Sequence, residues 1–447
     1  QAFMKELNQE LWKLGVLAKT EHNEVAPAQH EMAPVFNTVN IAADHNQLTM
    51  EIMKKVADRH GLVCLLHEKP FGGVNGSGKH NNYALSTDKG VNLLEPGDTP
   101  SENAQFLVFL SAIIAAVDDH QDLLRVTVSY AGNDHRLGAN EAPPAIISIF
   151  LGDELNAVIE SIVFESKYAA HERSQMKLGV HILPKFPKDS TDRNRTSPFA
   201  FTGNKFEFRS LGSSQSISGP NVVLNTIIAD QLMRMADELE AAPDFTAAVD
   251  ALIRKTLKAH MRIIFNGNGY DDAWVAEAKR RGLLNLRTTV DALPYYIAPE
   301  NIALFERQKV FSAEEVQSRY EMKLENYVKV IDIEALSMID IARHLILPAA
   351  IHYSGDVAGE IRQKNDTMPE LGCMAEKDLL TRLSRHTDGL YECIGALEKA
   401  LDHMDQSSDL LLQAQYTRDR VVPAMEALRA QGDALELLVA KAYWPMP

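Results

Sequence analysis

Fourteen consecutive residues, Lys69-Pro70-Phe71-Gly72-Gly73-Val74-Asn75-Gly76-Ser77-Gly78-Lys79-His80-Asn81-Asn82, hold four glycines, two lysines, a histidine and three asparagines. Glycines at this density let backbone N–H groups approach anionic oxygens with no Cβ in the way. The stretch therefore reads as a phosphate or carboxylate site, or as a glycine-rich hairpin with a hydrogen-bonded histidine. Gly73 to Lys79 also fits the phosphate-cradling pattern G-x-x-x-x-G-K-[ST] up to its last place, where His80 replaces the hydroxyl that would hold magnesium. That pattern must open a helix, and Asn81-Asn82-Tyr83-Ala84-Leu85-Ser86 reads as strand or turn.

Three other places carry suitable side chains. Glu24 and Glu31 flank a turn at Pro27-Ala28 and are either ligands for a hard cation or solvated surface charge. The polar run 132–144, with Arg136 and Glu141, joins apolar stretches, as binding loops and plain surface loops both do. In Lys205-Phe206-Glu207-Phe208-Arg209, strict alternation puts both phenylalanines on one strand face, which must be core. The lysine, carboxylate and arginine on the other face are solvated or set to meet phosphate and metal.

The elements that must position these groups follow from hydrophobic period. An amphipathic helix carries Phe3, Leu7, Leu11 and Leu14 on one face and stops near Gly15. Strands are expected over 17–25 and 29–39, a helix over 44–60 with Leu48, Ile52 and Val56, and a strand over 62–66 that delivers the glycine-rich stretch. A buried helix over 101–125 has Ser101 as its cap. Strands over 126–130 and 145–150 bracket the polar run. Helices then follow over 221–241, 246–264, 273–281, 313–344 with breaks, 376–403 and 410–431, a pattern that builds a bundle. His344 and His352 fall in this region as packing or surface histidines.

The chain has 447 residues, 45% of them hydrophobic and 24% charged, and a formal net charge of -16. That length allows two or three domains, and that charge argues against nucleic acid as a partner. Cys64, Cys373 and Cys393 are odd in number and widely spaced, which supports neither disulfides nor a zinc ribbon and points to a reducing cytoplasm. The longest apolar run, 106–117, is too short to span a membrane.

Taken together, residues 23–31, 69–80, 136–143 and Asn194-Arg195 with Glu207-Phe208-Arg209 resemble, in this order, a glutamine synthetase, and its type III or long branch in particular. The resemblance implies an α+β fold: residues 1–265 as the C-terminal portion of the catalytic domain, with a curved antiparallel sheet, and 266–447 as a large helical extension. It implies that Glu24 and Glu31 hold one metal, near the glutamate substrate, and that His80 and Glu207 hold a second that bridges the ATP phosphates. Carboxylates suit Mg2+ or Mn2+, and imidazole suits Mn2+. Asn75 and Gly76 would hold the amino-acid end of the substrate, Arg136 its α-carboxylate, and Glu141 would close over the site and help deprotonate ammonium. Arg195 and Arg209 would stabilise phosphate, with Lys205 and Arg195 beside the nucleotide.

The activity so implied is ATP-dependent ligation of ammonia to L-glutamate through γ-glutamyl phosphate, giving L-glutamine, ADP and phosphate. It would be carried out in the cytoplasm by a homo-oligomer of two stacked hexameric rings. The alternatives are a ligase joining glutamate to another amine, and a non-catalytic helical scaffold that keeps a relic metal site. A guanidino kinase shares the curved sheet but would need no amino-acid loop like that around Arg136. The chain departs from the family pattern in three ways. No two-glutamate strand or β-grasp domain precedes Glu24. Pro198-Phe199-Ala200-Phe201 replaces a second arginine after Arg195, and His80-Asn81-Asn82 stands where His-x-His is common. Because the chain opens at Gln1 within a helix, it is expected to be the downstream part of a longer polypeptide, and these 447 residues alone are expected to be inactive.

Overall fold

The computed structural model describes residues 1–165, 194–403 and 408–446. The chain divides into two compact units, Gln1–Gln317 and Ser318–Pro447.

In the first unit, α1 (Ala2–Lys13) buries Leu7 and Leu11 against Val16 and against Val56 of α2 (Val39–Arg59). Leu14, expected on the same face, is 43% exposed. The helix has already ended at Lys13, and Gly15 turns the chain away with a φ of +77°. Between these helices, β1 (Ala18–Asn23) and β2 (His30–Pro34) form the expected antiparallel hairpin, and Met32 of β2 packs on the same small core. Residues 62–66 form no strand, contrary to expectation, and among the described residues no neighbouring strand offers them a ladder. Their end is held instead by Ser213 Oγ, which donates to the Leu66 carbonyl at 2.6 Å.

The main sheet runs in the order β3 (Gly78–Tyr83), β6 (Phe206–Gly212), β5 (Phe199–Phe201), β4 (Ile149–Phe150). The fold is α+β as expected, but the sheet is mixed: β3-β6 and β6-β5 are antiparallel, whereas β5-β4 is parallel. A parallel pair needs a long connection, and the one from β4 begins with α6 (Gly152–Phe164). Only Ile149 and Phe150 of the expected strand 145–150 are paired.

The sheet's inner face is aromatic. Phe199, Phe206 and Phe208 are fully buried, and the rings of Phe199 and Phe206 stack with centroids 4.7 Å apart. Phe201 meets Phe106 of α3 (Ala104–Asp119) at 5.9 Å. Truncating one such ring typically costs about 3–5 kcal/mol. The apolar run of α3 is buried on nearly all sides, and α3 lies against α7 (Ser218–Glu240) and α8 (Phe245–His260). Its cap is Asn103, whose side chain accepts from the Phe106 N–H at 3.0 Å, and not Ser101, which lies in a short 3-10 turn. The helix stops at His120 and resumes as α4 (Gln121–Thr127), so 126–130 is no strand either. A short apolar run is compatible with a buried helix or a strand, and period alone could not separate them. The first unit also holds α5 (Ala131–Asp134), α9 (Asp272–Arg280), α10 (Thr289–Ala292) and α11 (Pro299–Arg307).

Helix α12 (Ala313–Ile341) leads into the second unit, which continues with α13 (Leu347–Thr367), α14 (Met374–Asp402), α15 (Leu410–Tyr416) and α16 (Val422–Glu436). Helix α14 packs on both α13 and α16, burying Leu383, Leu390, Ile394 and Leu397 at helical spacing. Two π-helical turns, Ala342–Ile346 and Thr417–Val421, immediately precede helices with a proline in their first turn, Pro348 and Pro423. Proline has no N–H for the usual i−4 bond and crowds that carbonyl, and a widened turn relieves both. His344 is exposed and pairs with Asp340 at 2.8 Å. Among the described residues no helix is long and apolar enough to cross a membrane, and all three cysteines are free.

Candidate active site

The hairpin sets the first group of acids. Register pairs His22 with Glu31, and Glu24 follows two residues after His22, just past the end of β1. His22 Nε2 lies 2.7 Å from Glu24 Oε1 and 3.8 Å from Glu31 Oε2. Partial burial, and then the Glu24 carboxyl beside it, push the Glu31 pKa up. Carboxylates crowded this closely repel one another, and a bound cation removes that repulsion. The turn closing the hairpin has Ala28 at φ +54°. Gln29 braces it, accepting from the Ala26 N–H at 3.3 Å and donating to the Gly76 carbonyl at 3.1 Å. The glycine-rich stretch is thereby tied to the acids.

The second group sits on β3 and β6. Lys79 pairs with Leu211 but Asn81 with Phe208, so β6 carries one extra residue opposite His80. Such a bulge twists the ladder and re-aims a side chain. His80 Nδ1 comes 3.9 Å from Glu207 Oε2. Loss of hydration, and then the Arg209 guanidinium, push His80 down to about 4, leaving a neutral imidazole at neutral pH. Burial works to raise Glu207, but Arg209, with His80 and Lys205, holds it below the usual carboxylate range. Arg209 donates to Glu207 Oε2 from Nε at 3.2 Å and from Nη2 at 3.0 Å. Lys205 Nζ lies 3.5 Å from Glu207 Oε1 and donates to Thr202 Oγ1 at 2.8 Å. The buried Asn81 anchors this strand to α7 through Asn221 at 3.0 Å.

A third group gathers around Glu141. Asn140 and Glu141 both have positive φ, +51° and +67°. Tyr270 Oη holds the loop by donating to the Ala142 carbonyl at 3.0 Å. Glu141 Oε2 accepts from Asn75 Nδ2 at 3.0 Å, and Oε1 pairs with Arg195. Arg136 is placed differently: it is 5% exposed, and its guanidinium donates to Asn133 Oδ1 at 3.2 Å, the Leu211 carbonyl at 3.0 Å and the Arg209 carbonyl at 3.1 Å. A Cβ at Gly78 would collide with that guanidinium, which accounts for a glycine at this position.

The structure thus brings Glu24 to Glu31, His80 to Glu207 with Lys205 and Arg209, and Asn75 to Glu141 with Arg195. Glu207 acts electrostatically on Glu31, and Glu141 on His80, so the three groups share one field. Two participants escaped the sequence reading: His22 and Tyr270. His22 was findable, since the hairpin register places it opposite Glu31; nothing in the spacing of Tyr270 marks it. The donor set of His22, Glu24 and Glu31, with ligand atoms all within 4.8 Å of one another, fits a divalent cation. Asp118, Asp119 and His260 are grouped as closely. There Arg262 Nε sits 2.9 Å from both Asp118 oxygens.

Two family profiles match this chain: the glutamine synthetase catalytic domain over residues 1–147 and the glutamine synthetase C-terminal domain over residues 248–365. The chain belongs to the glutamine synthetase family. Along its whole length it is similar to a glutamine synthetase of Butyrivibrio fibrisolvens, 47% identical over 100% of this chain and 64% of that one. A type-3 glutamine synthetase of Dictyostelium discoideum is 47% identical over 99% of this chain and 61% of its own. A glutamine synthetase of Bacteroides fragilis is 39% identical over 100% and 63%. The chain therefore spans just under two thirds of the length of these relatives. The catalytic-domain match includes Glu24, Glu31, Asn75, Gly76, His80, Arg136 and Glu141, and ends before Arg195, Lys205, Glu207 and Arg209.

Proposed function

We propose that this chain supplies the glutamate- and phosphate-handling part of an ATP-dependent glutamate–ammonia ligase that forms L-glutamine, ADP and phosphate through γ-glutamyl phosphate. The observation that supports the reading is the pairing of His80 with Glu207 across β3 and β6, with Arg209 and Lys205 alongside, while Gln29 ties the hairpin that carries Glu24 and Glu31 to the glycine-rich stretch. Glu24 and Glu31 would hold one Mg2+ or Mn2+, with His22 beside them, and His80 and Glu207 a second. Such cations neutralise charge on a transferring phosphoryl group.

The chain's own residues do the rest. A carboxylate is a poor electrophile until it is phosphorylated, so the substrate's γ-carboxylate and the terminal phosphate must be held in line. Asn75 and Gly76 would orient the amino-acid end and Arg136 its α-carboxylate. Arg195, Arg209 and Lys205 would balance phosphate charge. Glu141, bridging Asn75 and Arg195, would close the site against water, which otherwise consumes the acyl phosphate, and would take a proton from ammonium. We assign 1–265 to the catalytic portion and 266–447 to a helical extension, in a cytoplasmic homo-oligomer of two stacked hexameric rings.

The test is ADP release by the full-length protein with ATP, a divalent cation, glutamate and ammonium, each omitted in turn. Release that needs all four, with glutamine formed in equal amount, supports the reading. Release with a primary amine but not with ammonium would replace ammonia by another amine, and no glutamate dependence would defeat the reading.

A further inference from the structure

Glu68 is a carboxylate with 1% exposure, and the function proposed above gives it no part. A buried carboxylate persists only with hydrogen bonds and an opposing charge. The hydrogen bonds come from Ser214, whose N–H and Oγ donate to Glu68 Oε1 at 3.0 and 2.5 Å. Two glycines make room for it: a Cβ at Gly132 would lie 2.5 Å from Glu68 Oε2, and one at Gly212 would strike Oε1. Gly212 faces Gly78 across the β3-β6 ladder, and Gly78 packs against the Arg136 guanidinium. The neighbouring Leu211 carbonyl receives that guanidinium. The backbone of Glu68 reaches the same place, its carbonyl accepting from the Ser77 N–H at 2.7 Å. That carbonyl and the Arg136 side chain both border Gly76, which would admit no Cβ.

Arg136 lies across the Gly78–Gly212 pair from this carboxylate, close to it but in no direct ion pair with it. Burial pushes Arg136 down to about 10, and Glu68 is the foremost charge opposing that fall. Lys79 is otherwise engaged, with Met50 Sδ at 3.2 Å, Asn46 Oδ1 at 3.4 Å and the Gln215 carbonyl.

We propose that Glu68 is a positioning residue for the amino-acid substrate: seated in its glycine cradle, it holds Arg136 against β6 beside Gly76. This rests on the reading of Arg136 as the group that meets the substrate's α-carboxylate. Glu68 touches no substrate. It fixes the arginine that does, and its negative charge, more than its volume, performs that task.

Charge and volume are separable by substitution. In the full-length protein, Glu68→Gln keeps the shape and the acceptor for Ser214, while Glu68→Asp keeps the charge one methylene shorter. The Michaelis constant for glutamate should rise about tenfold in Glu68→Gln, several times more than kcat falls, with the constant for ATP moving less than about twofold. Glu68→Asp should lie closer to wild type. Glu68→Gln equal to or better than Glu68→Asp, or glutamate and ATP constants moving together, would overturn the proposal. Should both variants be insoluble, Ser214→Ala removes one of the two bonds to Oε1 and should raise the glutamate constant two- to threefold; no change would count against the proposal. A wild type with no glutamate-dependent turnover would defeat the functional reading instead. The Glu68–Arg136 link is then read from urea unfolding, where Glu68→Gln and Arg136→Met together should cost less than the sum of the single losses. Simple additivity would sink it.

Discussion

Asn75 and Glu141, 66 residues apart in the chain, meet through a 3.0 Å hydrogen bond from the amide Nδ2 to the carboxylate Oε2. The glycine-rich stretch and the polar loop after α5 are therefore latched together at their tips. Arg195 closes on the other carboxylate oxygen.

If Glu141 gates the site and takes a proton, Glu141→Ala should leave phosphoryl transfer running while glutamine formation falls, so that ADP release uncouples from glutamine. The measurement is the ratio of the two products. Equal loss of both would make Glu141 a binding residue.

His80→Ala should abolish phosphoryl transfer and leave the fold intact. The imidazole is neutral at pH 7 and lies at a bulge where the β3-β6 ladder is already interrupted. Circular dichroism should match wild type while metal-dependent ADP release is lost. Turnover like wild type would remove His80 from the metal site.

His22 enters the cation site through hairpin register. His22→Ala should weaken Mn2+ binding roughly tenfold, the order of loss seen when a group supporting metal ligands is removed. Chelation should stop ADP release, and added Mg2+ or Mn2+ should restore it. Unchanged titration of His22→Ala with Mn2+ would exclude this histidine.

A stability prediction concerns Asp230 of α7, which is 1% exposed. It accepts from Arg307 Nε at 2.7 Å and Gln308 Nε2 at 2.8 Å, and pairs with Arg234 at 2.5 Å. Burial works to raise its pKa, but these partners hold it below the usual carboxylate value. Because the folded value lies below the unfolded one, its contribution is complete above the unfolded pKa of about 4 and fades as pH falls through the folded value. Asp230→Asn should cost about 2 kcal/mol near neutral pH, the scale of hydrogen bonds to a charged group, and much less in strong acid. Urea midpoints at pH 7 and pH 3 check it; the same loss at both would contradict the assignment.

Much of the site was legible because its residues sit where local rules are strict. Alternation in 205–209 placed Phe206 and Phe208 in the core, both fully buried, and Glu207 with Arg209 on the opposite face. The turn at Pro27-Ala28 brought Glu24, just past the end of β1, close to Glu31 of β2. What stayed hidden depends on long-range contact. Glu68 owes its burial to Gly132 and Gly212, far along the chain, and Tyr270 reaches the polar loop from 128 residues away. The missing strands at 62–66 and 126–130 failed for a related reason. An apolar run acquires its conformation from whatever packs on it, and here that was a side-chain anchor in one case and a buried helix in the other.

The bulged, two-faced β6 has a consequence for how this family can change. Each π turn in the second unit holds an extra residue that a helix absorbs by widening one ring, leaving the flanking turns in phase. The bulge opposite His80 already takes up one extra residue of β6, and outside it a strand of period two has no such slack. One residue gained or lost between Lys205 and Arg209 would exchange the two faces, sending Glu207 and Arg209 into the aromatic layer and the phenylalanines into the site. Variation in length should therefore accumulate in the helices and loops, while β6 changes, if at all, only by substitution in place.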